Sequence, residues 1–147
     1  MKKILLAATL LVALTSATFA DGKNSNAKLF SDLKTALKSV DESTWKSTDA
    51  YKKATFSLNG KNVSAFVNAE TAELIGFSFP IEASALPEGT TENLAKKYQG
   101  WQMINPIMFI NSEGHVSYFV QVNKGKSSLA LSISSTGKPS IYGRMYQ

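Results

Sequence analysis

One histidine, eleven acidic side chains and no cysteine are the groups from which this 147-residue chain could assemble a catalytic centre. A general base or a histidine-based triad would rest on His115 alone. It sits in Ser-Glu-Gly-His, between two alternating segments, which predicts an exposed turn residue. The acids are scattered singly apart from Asp41-Glu42, which reads as a solvated helix end. Glu70 and Glu73 flank a turn and are expected to face water, the default for carboxylates. The absence of cysteine excludes thiolate zinc sites, redox pairs and thiol nucleophiles. No calcium loop, phosphate cradle or Walker motif occurs. Asn62-Val63-Ser64 has the form of a glycosylation sequon, but it lies inside a strand pattern behind a bacterial-type leader. The expectation is a protein that is not an enzyme and uses no cofactor and no metal.

A second candidate is Thr90–Trp101, TTENLAKKYQGW, with a lysine pair and two aromatics. Leu94 and Tyr98 are four apart and share a helix face. Lys96 and Lys97 fall where the helix dipole favours cations, and Gly100 where a left-handed residue closes a helix. Pro87 or Thr90 can open it. The stretch reads as a capped helix turning into a strand, not as a nucleic-acid contact.

Those elements sit behind an export signal. MKKILLAATLLVALTSATFA has a charged start at Lys2 and Lys3, an apolar run Ile4–Leu14, and Thr18 and Ala20 placed for signal peptidase. Residues 1–20 are therefore expected to be a signal peptide cut after Ala20, with the mature chain periplasmic or secreted. The apolar run is shorter than the roughly 20 residues of a membrane span, and no span is expected in the mature chain. Net charge falls from +5 to +3 on cleavage, and the lysines are dispersed, so no nucleic-acid partner is expected. Residues 21–147 read as a single α+β domain, long enough to fold without disulfides. Oligomeric state is not legible.

In the mature chain, Leu29, Leu33, Leu37 and Val40, widened by Phe30 and Ala36, make the apolar stripe of an amphipathic helix with Asn26 as its N-cap. The period then turns to two. ATFSL and NVSAFV flank Asn59-Gly60, a hairpin signal, and AELIGFSF follows. Pro80 and Pro87 bracket an irregular connection, IEASAL. WQMINPIMFI, HVSYFVQVN, SLALSIS and SIYGRMY then form a meander separated by turns at 112–114, 124–126 and 136–139. Val63, Ser64, Phe66 and Val67 match Val116, Ser117, Phe119 and Val120 at a constant offset. This suggests two helix-plus-strands repeats, about 27–79 and 87–147.

The helix, the Leu-Pro, a second helix ending in KKYQGW and a meander with Gly-Lys turns together resemble a known family, the PepSY-like, β-lactamase-inhibitory-protein-like (BLIP-like) exported bacterial domains. LPEGTTENLAKKYQGW is similar to that family's repeat start and ISSTGKPS to its final turn. The resemblance implies an antiparallel meander sheet with helices packed on one face. Two repeats would join into a broader concave surface, and the partner would be a protein. Two departures stand out: those secreted inhibitors carry disulfides and this chain has none, and the acid often found in the last turn is replaced by Ser134, Ser135 and Thr136. No inhibitory loop residue carries over.

Strand alternation divides the side chains between two faces. Val63, Ala65, Val67, Val116, Tyr118, Val120, Val122, Leu129, Leu131, Ile133, Ile141 and Met145 are expected inward. Phe66, Phe119, Gln121, Tyr142, Arg144 and Tyr146 are expected outward, above a floor of Ser64, Ser117, Ser128, Ser132 and Ser134. Aromatics and arginine are typical interface anchors, so these six residues are the candidate binding site. Two fates are open to them: contact with a protein or peptide partner, or packing across strands and on IEASAL. An alternative function is a carrier holding a small apolar ligand in a helix-covered sheet pocket.

Overall fold

The computed structural model describes residues 23–145, without the side chains of 23–25, Arg144 and Met145. The signal segment with its cut after Ala20, the side chain of Arg144 and the whole of Tyr146 therefore lie outside the described residues.

Helix α1 (Lys23–Leu37) is followed by β1 (Lys46–Ser47), β2 (Tyr51–Leu58), β3 (Lys61–Asn68) and β4 (Leu74–Pro80). Helix α2 (Thr90–Lys97) precedes β5 (Gln102–Asn111), β6 (Val116–Lys124), β7 (Ser127–Ile133) and β8 (Pro139–Met145). The strands form one eight-stranded antiparallel sheet in sequence order, β1 to β8. Such a meander needs only short connections, because each strand pairs with the next. The expected α+β meander is present, extended by the two-residue β1 against β2.

Local chemistry accounts for most boundaries. Asn59 and Gly60 both have positive φ, 51° and 76°, and join the partners Leu58 and Lys61 in a two-residue hairpin turn. Helix α2 starts at Thr90 behind Gly89 and passes its last hydrogen bond from the Tyr98 amide to the Leu94 carbonyl. Two boundaries differ from expectation. Helix α1 begins at Lys23, so Asn26 lies inside it and is no cap; it ends at Leu37, leaving Val40 in the turns beyond. Asp41 is a cap instead, accepting from the Ser43 amide at the one-turn helix Glu42–Thr44. That bond, with the Ser43 side chain, holds the Asp41 carboxyl below its usual range.

The core joins Leu33 of α1, Leu94 of α2 and Tyr98 at its C-terminal cap to Val63, Ala65, Phe77, Phe79, Met108, Ile110, Val120, Val122, Leu131 and Ile133 of the sheet. Phe30 meets Phe77 edge-on with ring centroids 6.1 Å apart. Burying each large apolar side chain contributes about 1.5–3 kcal/mol, so alternate positions of five central strands supply most of the packing. IEASAL is not an idle connection: Ile81 and Leu86 are buried in the same cluster. Val67, expected inward, is only half-buried and stands outside the cluster, next to the slip that leaves Ile75 of β4 unpaired between Phe66–Gly76 and Val67–Leu74.

The turn between β7 and β8 is fastened to α2. The Asn93 side-chain amide donates to the Gly137 carbonyl at 3.0 Å and the Lys97 ammonium to the Pro139 carbonyl at 3.3 Å. Gly137 has φ +73°, and a Cβ there would run into the Glu88 carbonyl and sit 2.6 Å from the Thr90 amide nitrogen. Only glycine fits both the backbone angle and the approach.

Candidate functional site

The side chains that alternate with the core positions meet across the sheet. Phe66 pairs with Gly76, Ser78 with Phe109, Ile107 with Phe119, and Phe119 with Ser132. The rings meet in two groups: Tyr51 and Phe66 at 5.5 Å between centroids with Phe66 and Phe109 at 6.4 Å, and Phe119 and Tyr142 at 5.0 Å. These five rings line a groove of about 350 Å³, with Ile75 and Ile107 on its walls and Ser78 and Ala130 contributing the small side chains. Tyr142 is 71 % exposed, the largest value among the exposed large hydrophobics of the described residues.

Gly76 makes this row possible. A Cβ on it would lie 2.5 Å from the Phe109 Cζ and collide with the Ile110 carbonyl. The missing side chain lets the Phe109 ring lie over β4 and reach Phe66. The expected serine floor is realised differently. Ser128 is 4 % exposed, its hydroxyl donating to the Asn123 carboxamide oxygen and accepting from the Gln121 amide, both at 2.8 Å.

Of the six candidate residues, Phe66, Phe119 and Tyr142 line the groove. Gln121 does not: its amide is bound to Asn123 and Ser128, and its carbonyl oxygen accepts from Asn105 at 3.5 Å. Simple alternation fails at β8. A register shift between Ala130 and Leu131 pairs Leu131 with Ile141 and Ala130 with Gly143, which makes Tyr142 the extra residue. In the ladder Arg144 stands opposite Leu129 and Met145 opposite Ser128. Ile141 keeps its expected register but is 57 % exposed, because β8 is the last strand of the sheet.

Tyr51, Ile75, Ile107 and Phe109 were not legible as groove residues. Ile107 and Phe109 lie in the run MINPIMFI, where both faces are apolar and parity has no contrast. The slip at Ile104–Ile107, with Asn105 at φ 48°, then resets the count. Asn-Pro inside a strand was the available signal for such a bulge.

Elsewhere chemistry is sparse. His115 Nδ1 lies 3.2 Å from the Glu113 carboxylate, a pair that sequence reading missed, but both side chains are more than 70 % exposed on a turn. Among the described residues no three His, Asp or Glu gather as metal ligands. Burial raises the Tyr118 hydroxyl above its usual 10.0. A second hollow, of about 370 Å³, opens beside α2 between Leu94, Tyr98, Trp101, Met103 and Val122.

The same architecture occurs in solved structures. A BLIP-like protein from Bacteroides fragilis NCTC 9343 superposes with a TM-score of 0.52 at 16 % identity, over 69 % of this chain and 71 % of that one. The fold is BLIP-like. A DUF2874 family protein from Bacteroides uniformis ATCC 8492 matches at TM-score 0.59 and 17 % identity, over 81 % of this chain and 87 % of the other. A candidate periplasmic protein from Bacteroides eggerthii DSM 20697 matches at TM-score 0.60 and 15 % identity, over 82 % and 86 %. No protein-family model matches the chain, and no curated protein matches it in sequence. No helix among the described residues is long and apolar enough to cross a membrane.

Proposed function

We propose that the protein is a non-enzymatic binding module, exported to the periplasm or beyond, that holds a protein or peptide partner on the sheet face lined by Phe66, Phe119 and Tyr142. The observation that carries this is the row of five aromatic rings around one groove. Exposed aromatics grouped in this way are unfavourable in water unless something covers them, and they are the residue types that anchor interfaces. In this reading both helices lie on the opposite face, residues 21–147 are one domain of two PepSY-like repeats, and the N-terminal segment is the export signal. The BLIP-like fold and the periplasmic description of one structural neighbour support the compartment and the binding role.

The test is the double variant Phe119→Ala/Tyr142→Ala. Partners captured from the native envelope by the wild-type protein should be lost, with the melting temperature changed by only a few degrees. Unchanged capture, or collapse of stability, defeats the assignment.

The hollow beside α2 supports a second reading, a carrier of a small apolar ligand, because its volume falls in the range of ligand pockets. Native mass spectrometry of the protein purified from its own envelope would then show a co-purified mass that Leu94→Trp abolishes.

A further inference from the structure

The groove has a charged end that the aromatic row does not explain. Not one of the eight strands contains Asp or Glu. Lys46 and Lys53 stand directly opposite each other in the β1–β2 ladder, and Lys53 is in turn opposite Phe66 in the β2–β3 ladder. All three positions therefore share the groove's face. The Lys53 ammonium lies 5.8 Å from the centre of the Phe66 ring, which itself lines the groove. Both lysines are exposed, and among the described residues neither forms an ion pair.

Like charges directly opposite in a sheet repel. The carboxylates that could offset this lie on helices, turns and connections. The face thus keeps, at one end of an apolar groove, a cation pair that makes no ion pair among the described residues. We propose that the groove's occupant is an acidic, aromatic-bearing peptide segment of a partner protein: a large apolar side chain enters the groove, and a neighbouring Asp or Glu is received between Lys46 and Lys53. This rests on the binding face argued above and adds the chemistry of what is bound. Charge complementarity decides the choice, since a neutral apolar segment would leave the lysine repulsion in place.

The test uses a randomised peptide library displayed on phage and selected on the purified protein, with Phe119→Ala/Tyr142→Ala as a counter-screen. Groove-dependent binders are those lost on the double variant. They should place an acidic residue close to an aromatic one. Their affinity should fall about two- to fivefold for each of Lys46→Gln and Lys53→Gln, the range of an exposed ion pair, and should weaken as salt is raised. Because each substitution relieves a repulsion, the melting temperature should stay level or rise, which separates lost contact from lost fold. Groove-dependent binders without acidic enrichment, or unaffected by the lysine variants, overturn this inference and leave the binding face standing. Failure to find any groove-dependent binder removes the binding face itself.

Discussion

Gly76 shows how one absent side chain shapes the face. Its neighbours leave no room for a methyl group, and two of the obstructing atoms belong to the backbone of β5. Gly76→Ala should therefore destabilise the protein by about 1–3 kcal/mol, the usual cost of overpacking, measured as a shift in urea midpoint at constant slope. It should also push Phe109 out of the row and weaken any ligand held there. At the same scale, Tyr118 sets an alkaline limit. Burial raises its folded-state pKa, so its contribution is complete below the unfolded value near 10.0 and is lost as pH rises through the folded value. Tyr118→Phe should flatten the loss of thermal stability measured from pH 9 upward. A profile identical to wild type would show that Tyr118 ionises equally in both states.

Among the elements, the β7–β8 turn and α2 behave as one unit. The Gly137 carbonyl accepts from Asn93 and the Pro139 carbonyl from Lys97, and the start of α2 leaves no space for a larger residue at 137. Gly137→Ala should cost at least 2 kcal/mol, roughly 1 for the left-handed backbone and more for the collision. Amide exchange should quicken in α2 as well as in β8, whereas a purely local turn defect would leave α2 protected. The sequence segments resembling a repeat start and a final turn are thus the two that touch.

At the scale of the whole molecule, the ladder between β4 and β5 joins the two halves that the proposed repeats would divide. Gly76 to Pro80 pair with Ile107 to Asn111, and Phe77 and Ile110, partners in that ladder, are both fully buried. A separated half would expose that edge and those side chains to water. Thermal unfolding should accordingly be one transition by calorimetry and by circular dichroism, and fragments 21–86 and 87–147 should be unstructured alone. Two resolved transitions would mean that each half holds its own core.

Sequence by itself determined the alternating segments, the Asn-Gly hairpin, the capped α2 and the poverty of catalytic groups. These follow from side-chain period, from φ preferences and from composition, all of which act over a few residues. It also placed Phe66 and Phe119 away from the core positions, because parity holds along any strand without an inserted residue; Tyr142, itself the inserted residue of β8, lines the groove despite the break in parity. Tertiary structure alone decided which rings share a groove, since Tyr51, Ile107 and Phe109 arrive from strands whose register is set by pairing. It also decided where parity breaks: the slips at Ile75, Asn105 and Tyr142 each insert a residue into one strand only. An insertion relative to a neighbour is a relation between two strands, and neither strand carries it alone.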